Sequence, residues 1–233
     1  MPATADLYWA AMAVLLILIV GFWYRTVRKR TKTNSRFSLE STREVRAGDG
    51  LKYRVHTSHK NADSAADTMA ELNRRAIELI RHLRDKYLRG PAAGRSSARK
   101  KAVSRLLERY NPDSLAENSP CDPGGDTSFT IDKGAILALC LREKDPAQSG
   151  DPAAHDIHSL NTLAFVLVHE LTHIAIKDSG HPPRYWQAFK FILEEAVETG
   201  FLEKVDYGRH PVQYCGETIE YSPLFDHSVQ ALV

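Results

Sequence analysis

Ser159-Leu160-Asn161-Thr162-Leu163-Ala164-Phe165-Val166-Leu167-Val168-His169-Glu170-Leu171-Thr172-His173-Ile174-Ala175 contains Leu160, Leu163, Ala164, Leu167, Val168 and Leu171 at intervals of three and four. That period places them on one side of an α-helix and predicts a buried helix from about Ser159 to Ala175. Residues four apart share a helix face, so His169 and His173 of the H-E-x-x-H string point into one space where a divalent metal can sit. Glu170 then lies beside the metal's open position. Zinc held by neutral imidazoles lowers the pKa of a coordinated water to about 7, and a neighbouring carboxylate can take its proton as it attacks a carbonyl. The residues therefore point to metal-assisted peptide hydrolysis. The competing reading, two hydrogen-bonded core histidines, leaves Glu170 buried on an apolar helix in need of partners.

Two routes lead to a third ligand. His181 follows Asp178-Ser179-Gly180, where Gly180 can stop the helix in the left-handed conformation and bring the chain back. Alternatively, Glu194, Glu195 or Glu198 of a following helix supplies a carboxylate. Tyr185, Trp186, Phe189, Ile192, Leu193, Ala196 and Val197 form that helix's apolar stripe, and the three glutamates fall away from its centre as a solvated face would. This periodicity favours His181.

His169-Glu170-Leu171-Thr172-His173, Gly180-His181 and Tyr185-Trp186 ahead of an apolar helix resemble the WLM-type zinc metallopeptidases, relatives of the SprT-like group, and the short WLM-like proteins of large DNA viruses and algae. Two further segments share the resemblance. One is Thr127 to Gly134 leading to Leu139-Cys140-Leu141-Arg142, and the other is Pro211 to Gly216 leading to Tyr221-Ser222-Pro223. It covers roughly Leu51 to Pro223 and implies His169, His173 and His181 as zinc ligands, Glu170 as general base, and a protein or peptide substrate. The turn between His173 and His181 is longer than in the best-known members, and no segment outside the core is recognisable as a substrate-binding module.

Leu7 to Tyr24 carries no charge and is flanked by Tyr8, Trp9, Trp23 and Tyr24. A helix of that length reaches about 27 Å, near a hydrocarbon core of about 30 Å, which predicts a transmembrane helix over 7–24. No basic residue precedes it and no small-residue cleavage site follows, which argues against a signal peptide. Arg25, Arg28, Lys29, Arg30, Lys32 and Arg36 follow it, so the positive-inside rule puts the N-terminus outside or in a lumen and the catalytic domain in the cytosol. These cations read as a topology determinant beside anionic lipid rather than a nucleic-acid site. Cys121, Cys140 and Cys215 are far apart, which excludes a Cys-rich zinc finger and reads as unpaired thiols. No Asn-x-Ser/Thr acceptor is present, which agrees with that compartment.

The expected organisation is a tail at 1–6, the membrane helix at 7–24, a basic tether at 25–63 with a short strand near Leu51 to Val55, an α+β zincin-like metallopeptidase domain of helices on a small sheet at 64–223, and a tail at 224–233. Within the domain, the apolar stripe Met69, Leu72, Ala76, Leu79, Ile80, Leu83 and Tyr87 predicts a helix from Ser64 to Leu88 that packs on the metal-binding one. Gly90-Pro91-Ala92-Ala93-Gly94 breaks it, and Arg95 to Tyr110 is a shorter helix whose Arg99, Lys100, Lys101 and Arg105 form a solvated face. Thr127 to Ile131 is a strand suited to pairing with an extended substrate, and Ile136 to Leu141 is a second strand or a short helix. His155 and His158 read as surface or capping residues, and His210 lies in a turn that can fold over the cleft. Tyr207, Tyr214 and Tyr221 are candidate oxyanion donors, with packing roles the simpler reading. A formal net charge of +2 implies no strongly charged partner. The alternative to an enzyme is a metal-stabilised, membrane-anchored adaptor that has lost turnover.

Overall fold

In a computed structural model the structure describes residues 39–94, 96–118, 127–142 and 156–233. A β-hairpin opens the described chain, with β1 (Thr42–Arg46) antiparallel to β2 (Lys52–His56). Helix α1 (Ala62–Arg84) follows and widens into a π-helical turn at Asp85–Arg89. Helix α2 (Ser97–Arg109) starts where the Ser96 side chain accepts the Arg99 amide, and its last turn leads into β3 (Leu115–Asn118). Strands β4 (Phe129–Ile131) and β5 (Ile136–Cys140) form a second hairpin. Helices α3 (Leu160–Ala175) and α4 (Pro183–Glu198) come next, followed by a separate two-stranded sheet of β6 (Val212–Tyr214) and β7 (Glu217–Ile219) and a 3-10 turn at Pro223–Phe225.

The main sheet has the order β1-β2-β3-β5-β4. Its centre is parallel, β2 with β3 and β3 with β5, and each edge is closed by an antiparallel hairpin partner. Parallel neighbours need a crossover, and α1 with α2 supplies the one between β2 and β3. A buried ion pair ties the centre together: Arg142 Nε donates to Glu117 Oε1 at 2.7 Å just beyond β5, and Glu117 Oε2 accepts the His56 amide of β2 at 3.0 Å. Such a pair resists loss of either partner, because the survivor would be an uncompensated buried charge.

Helix α3 is buried almost all round, with only Leu160, Asn161, His169 and His173 outside its buried set. Ser159 caps it by accepting the Thr162 amide, and it packs on α1, α2, α4, β4 and β5. A helix with one apolar stripe covers a core; one apolar on every side sits within it. The two exceptions near its C-terminal end are the histidines of the motif, so the core itself delivers them to the surface of a cleft.

Several expectations change. The composite of a zincin-like domain behind a transmembrane helix is corrected to an α+β unit built on a five-stranded mixed sheet. Among the described residues no helix is long and apolar enough to cross a membrane, and 7–24 lies outside them. One compact unit runs from Leu39 to Val233. The stretch read as tether contributes β1 and β2, where Glu44 pairs with Lys52 across the exposed edge; β1 buries only Thr42, whereas Tyr53, Val55 and His56 of β2 are buried. The C-terminal stretch packs too, since Leu232 is buried and its amide donates to the Gln187 carbonyl of α4. Arg99 is not on a solvated face: it lies over the Tyr87 and Phe191 rings and its Nε donates to the Leu232 carbonyl. Lys100 and Lys101 are exposed as expected.

Candidate metal centre

His169 and His173 leave the cleft side of α3 one turn apart, with ring centroids 5.0 Å from each other. The helix ends at Ala175 because Ile176 is extended, four residues before Gly180. Gly180 therefore does not stop the helix. Its φ of +70° makes the turn immediately ahead of His181, and Pro182 and Pro183 then start α4. This reversal carries His181 Nε2 to 3.1 Å from His169 Nε2 and 3.2 Å from His173 Nε2.

One nitrogen holds either a proton or a lone pair, so His181 Nε2 cannot make two well-directed hydrogen bonds to two further ring nitrogens. A shared cation satisfies all three. Nitrogens at about 2.0–2.1 Å from a tetrahedral zinc lie roughly 3.3–3.4 Å apart, close to the separations seen here. Burial, reinforced by the neighbouring imidazoles, holds His169 down at about 3; burial, with His181 and Lys133 nearby, holds His173 down at about 4; and burial lowers His181. All three are thereby kept neutral near pH 7, with lone pairs available to a metal. The donor set fits zinc.

Aromatic rings from α4 back the site. Tyr185 lies 4.5 Å from the His173 ring and 4.5 Å from the His181 ring, and its hydroxyl donates to the His169 carbonyl at 3.1 Å. Phe189 packs edge-on against His169 at 5.4 Å. These contacts fix the imidazole planes from behind, as ligands of a metal require.

Glu170 is 3 % exposed and accepts a hydrogen bond from Thr130 Oγ1 of β4 at 2.9 Å. Burial pushes its carboxyl up to about 7, against the opposing effect of the Thr130 bond. An open cleft of about 1030 Å³ runs in front of these groups. Its sides are Thr127 to Thr130 of the β4 edge, the Lys133 turn, the loop at Ser179 and Gly180, and Glu217 and Thr218 of β7. Lys133 Nζ donates to the Asp178 carbonyl at 2.8 Å, joining the β4–β5 turn to the loop that bears His181.

The glutamates of the alternative route lie apart from the three histidines. Glu195 and Glu198 gather with His82 in a separate group, and Glu195 is buried, accepting from Tyr87 Oη at 2.7 Å and from Lys86 Nζ. Glu195 thus leaves the solvated face on which periodicity put it, while Glu194 and Glu198 are exposed. His158 is buried and accepts the Cys215 amide at 3.2 Å, so it is neither a surface residue nor a cap. His155 lies outside the described residues; His210 is exposed and does not line the cleft. The three tyrosines are engaged elsewhere: Tyr207 packs on Phe165, Tyr214 donates to the Cys140 carbonyl, and Tyr221 donates to Asp226. Cys140 and Cys215, read as unpaired, are joined in a disulfide with a Cα–Cα separation of 6.3 Å.

Thr130, Tyr185 and Lys133 were not singled out as site residues. Thr130 carries a signal in hindsight, a hydroxyl at an alternate position of an edge strand beside the motif helix. Tyr185 enters the sequence reading through the apolar stripe of α4 and the Tyr185-Trp186 pair of the resemblance, not as a residue that backs the histidines.

No family model matches this chain, and no solved structure matches it. A protein of Acanthamoeba polyphaga mimivirus is 27% identical over 206 residues, covering 88% of this chain and 92% of its own. Shorter matches are to proteins of Invertebrate iridescent virus 6, 35% identical over 80 residues, and Invertebrate iridescent virus 3, 30% identical over 76 residues. This chain spans 41% and 42% of those two proteins, and all three relatives are described as uncharacterised. The chain is therefore similar to uncharacterised proteins of large DNA viruses, over nearly its full length in the mimivirus case.

Proposed function

We propose that this protein is a zinc-dependent peptidase of WLM type, with His169, His173 and His181 as ligands and Glu170 as general base. The observation that carries the reading is the convergence of three neutral imidazole nitrogens, two of them within 3.1 and 3.2 Å of the third, beside one buried carboxylate. When bound, zinc would supply Lewis acidity, making a water acidic near neutral pH and polarising a carbonyl oxygen.

The chain's own residues do the rest. Glu170, held at about 7, is able both to accept a proton near neutral pH and to return it to a leaving amine. Thr130 Oγ1 fixes one carboxylate oxygen of a side chain that lines the cleft. Strand β4 is an edge of the sheet and its Phe129 and Thr130 line the cleft, so an extended peptide can add there as a further strand. Peptide substrates fit this arrangement because main-chain pairing holds them without demanding a particular charge.

Glu170→Gln separates the enzyme from the adaptor. The variant should keep one zinc per chain and lose cleavage of an unfolded protein substrate by a factor of at least about 100. Equal cleavage by variant and parent would remove Glu170 from the mechanism. Full zinc in the parent with no cleavage of any peptide library would favour the adaptor.

A further inference from the structure

Strands β6 and β7 are three residues each and form a sheet of their own. Hairpins that small are marginal unless something else holds them. Here the turn is Cys215-Gly216, with φ of +56° and +81°, the two left-handed positions of a type I′ turn. Asn or Gly normally occupies the first of them; a cysteine there is kept by something other than turn preference. Its sulfur is bonded to Cys140 at the end of β5, 75 residues earlier. The remaining anchors gather at the same point. Tyr214 Oη donates to the Cys140 carbonyl at 2.9 Å and lies 2.6 Å from Ser128 Oγ, and the Cys215 amide donates to His158 Nε2 at 3.2 Å. Beyond the turn, Glu217 and Thr218 form one side of the cleft that contains His169, Glu170, His173 and His181.

We infer that Cys140–Cys215 is a thiol–disulfide exchange site that latches this side of the cleft, fixing Glu217 and Thr218 when oxidised and freeing them when reduced. The partner class is a dithiol reductant. Its thiolate attacks Cys215 Sγ, the slightly more exposed of the two residues. The Cys140–Cys215 bond breaks, its electron pair leaves on Cys140 and takes up a proton, and the reductant's second thiol resolves the mixed disulfide and releases Cys215. The reductant ends as a disulfide; the protein gains two electrons and two protons. Because both sulfurs are buried, attack follows local opening of the hairpin, so exchange is slow in the resting chain and faster when the cleft side is already displaced. The latch does not depend on peptidase activity, and its test reads neither zinc nor cleavage.

Purified full-length protein, prepared without reductant, is alkylated under denaturing conditions and counted by mass before and after dithiothreitol. Of its three cysteines one should label before reduction and all three after. Amide exchange is then followed in the native oxidised and reduced forms. Reduction should speed exchange over 212–219 by about tenfold or more while leaving the centre of α3 unchanged, and reoxidation should restore the slow rate. Cys140→Ser with Cys215→Ser should behave as the reduced form in either buffer. Three reactive thiols before reduction, or equal exchange in the two forms, would overturn the latch. So would thiols that react only after a chelator removes a second metal, since Cys140, Cys215 and His158 would then be ligands instead.

Discussion

The cleft has a floor and a wall built on different principles. The floor is α3, a helix buried on nearly every side whose motif histidines emerge from the core itself. The wall is the β6–β7 hairpin, two short strands outside the main sheet that depend on a covalent bond and a few polar contacts. A metal site needs ligands fixed to within a fraction of an ångström, which dense packing supplies. A substrate side must admit and release chains, which a small tethered element permits.

The strongest way to break this contrast is in the floor. Leu167 is fully buried behind the motif, and Leu167→Ala should cost about 2–5 kcal/mol of global stability in denaturant unfolding and weaken zinc binding with it. A loss confined to local exchange near α3 would show that the floor is no more cooperative than the wall.

Acid sharpens the same contrast in the metal-free protein. His169 and His173 fall from an ordinary 6.5 to about 3 and about 4, so between pH 6.5 and 4 the unfolded chain binds protons that the folded one refuses, and stability falls as pH falls. Glu170 acts in reverse. Its value is raised from 4.5 to about 7, so the folded chain binds the extra proton in that interval and gains stability as pH falls. Two losses against one gain leave a net decline on acidification, and Glu170→Gln should steepen it in a melting series from pH 7 to 4.5. A flatter profile in the variant would contradict the burial of Glu170 described here.

Gly134→Ala tests the joint between the two regions' neighbours. An added Cβ would meet the Arg109 carbonyl at 2.7 Å, and φ is +116°, a conformation open mainly to glycine. A cost of about 1–3 kcal/mol is expected, with Thr130 displaced from Glu170. Tyr185→Phe removes the hydroxyl that donates to the His169 carbonyl and should cost about 1 kcal/mol globally, again in the floor. Tyr214→Phe removes a bond of comparable kind from the wall, to the Cys140 carbonyl, and its effect should appear in exchange at 212–219 rather than in global unfolding.

What could be read from the sequence follows the same division. The apolar period of 159–175 is long and regular, so the helix and the convergence of His169 and His173 were legible before any coordinates. His181 was legible through Gly180, although the glycine turns the chain ahead of His181 rather than stopping the helix, which ends at Ala175. β1 and β2 were read mainly as tether because Thr42–Arg46 is an exposed edge strand rich in charge, with little alternation to reveal its buried side. Glu195 defeated periodicity, since tertiary partners on α1 and the turn after it, His82, Lys86 and Tyr87, satisfy a carboxylate inside the packed layer. The cysteine pair joins residues 75 apart through a topology that spacing alone does not disclose.

The central claim is a three-histidine metal centre, and the most direct test is zinc per chain by elemental analysis of the full-length protein, its His181→Ala variant and its Glu195→Gln variant. The account predicts near one zinc in the parent and in Glu195→Gln, and little or none in His181→Ala. Full zinc in His181→Ala, or none in the parent after exposure to the metal, would contradict it.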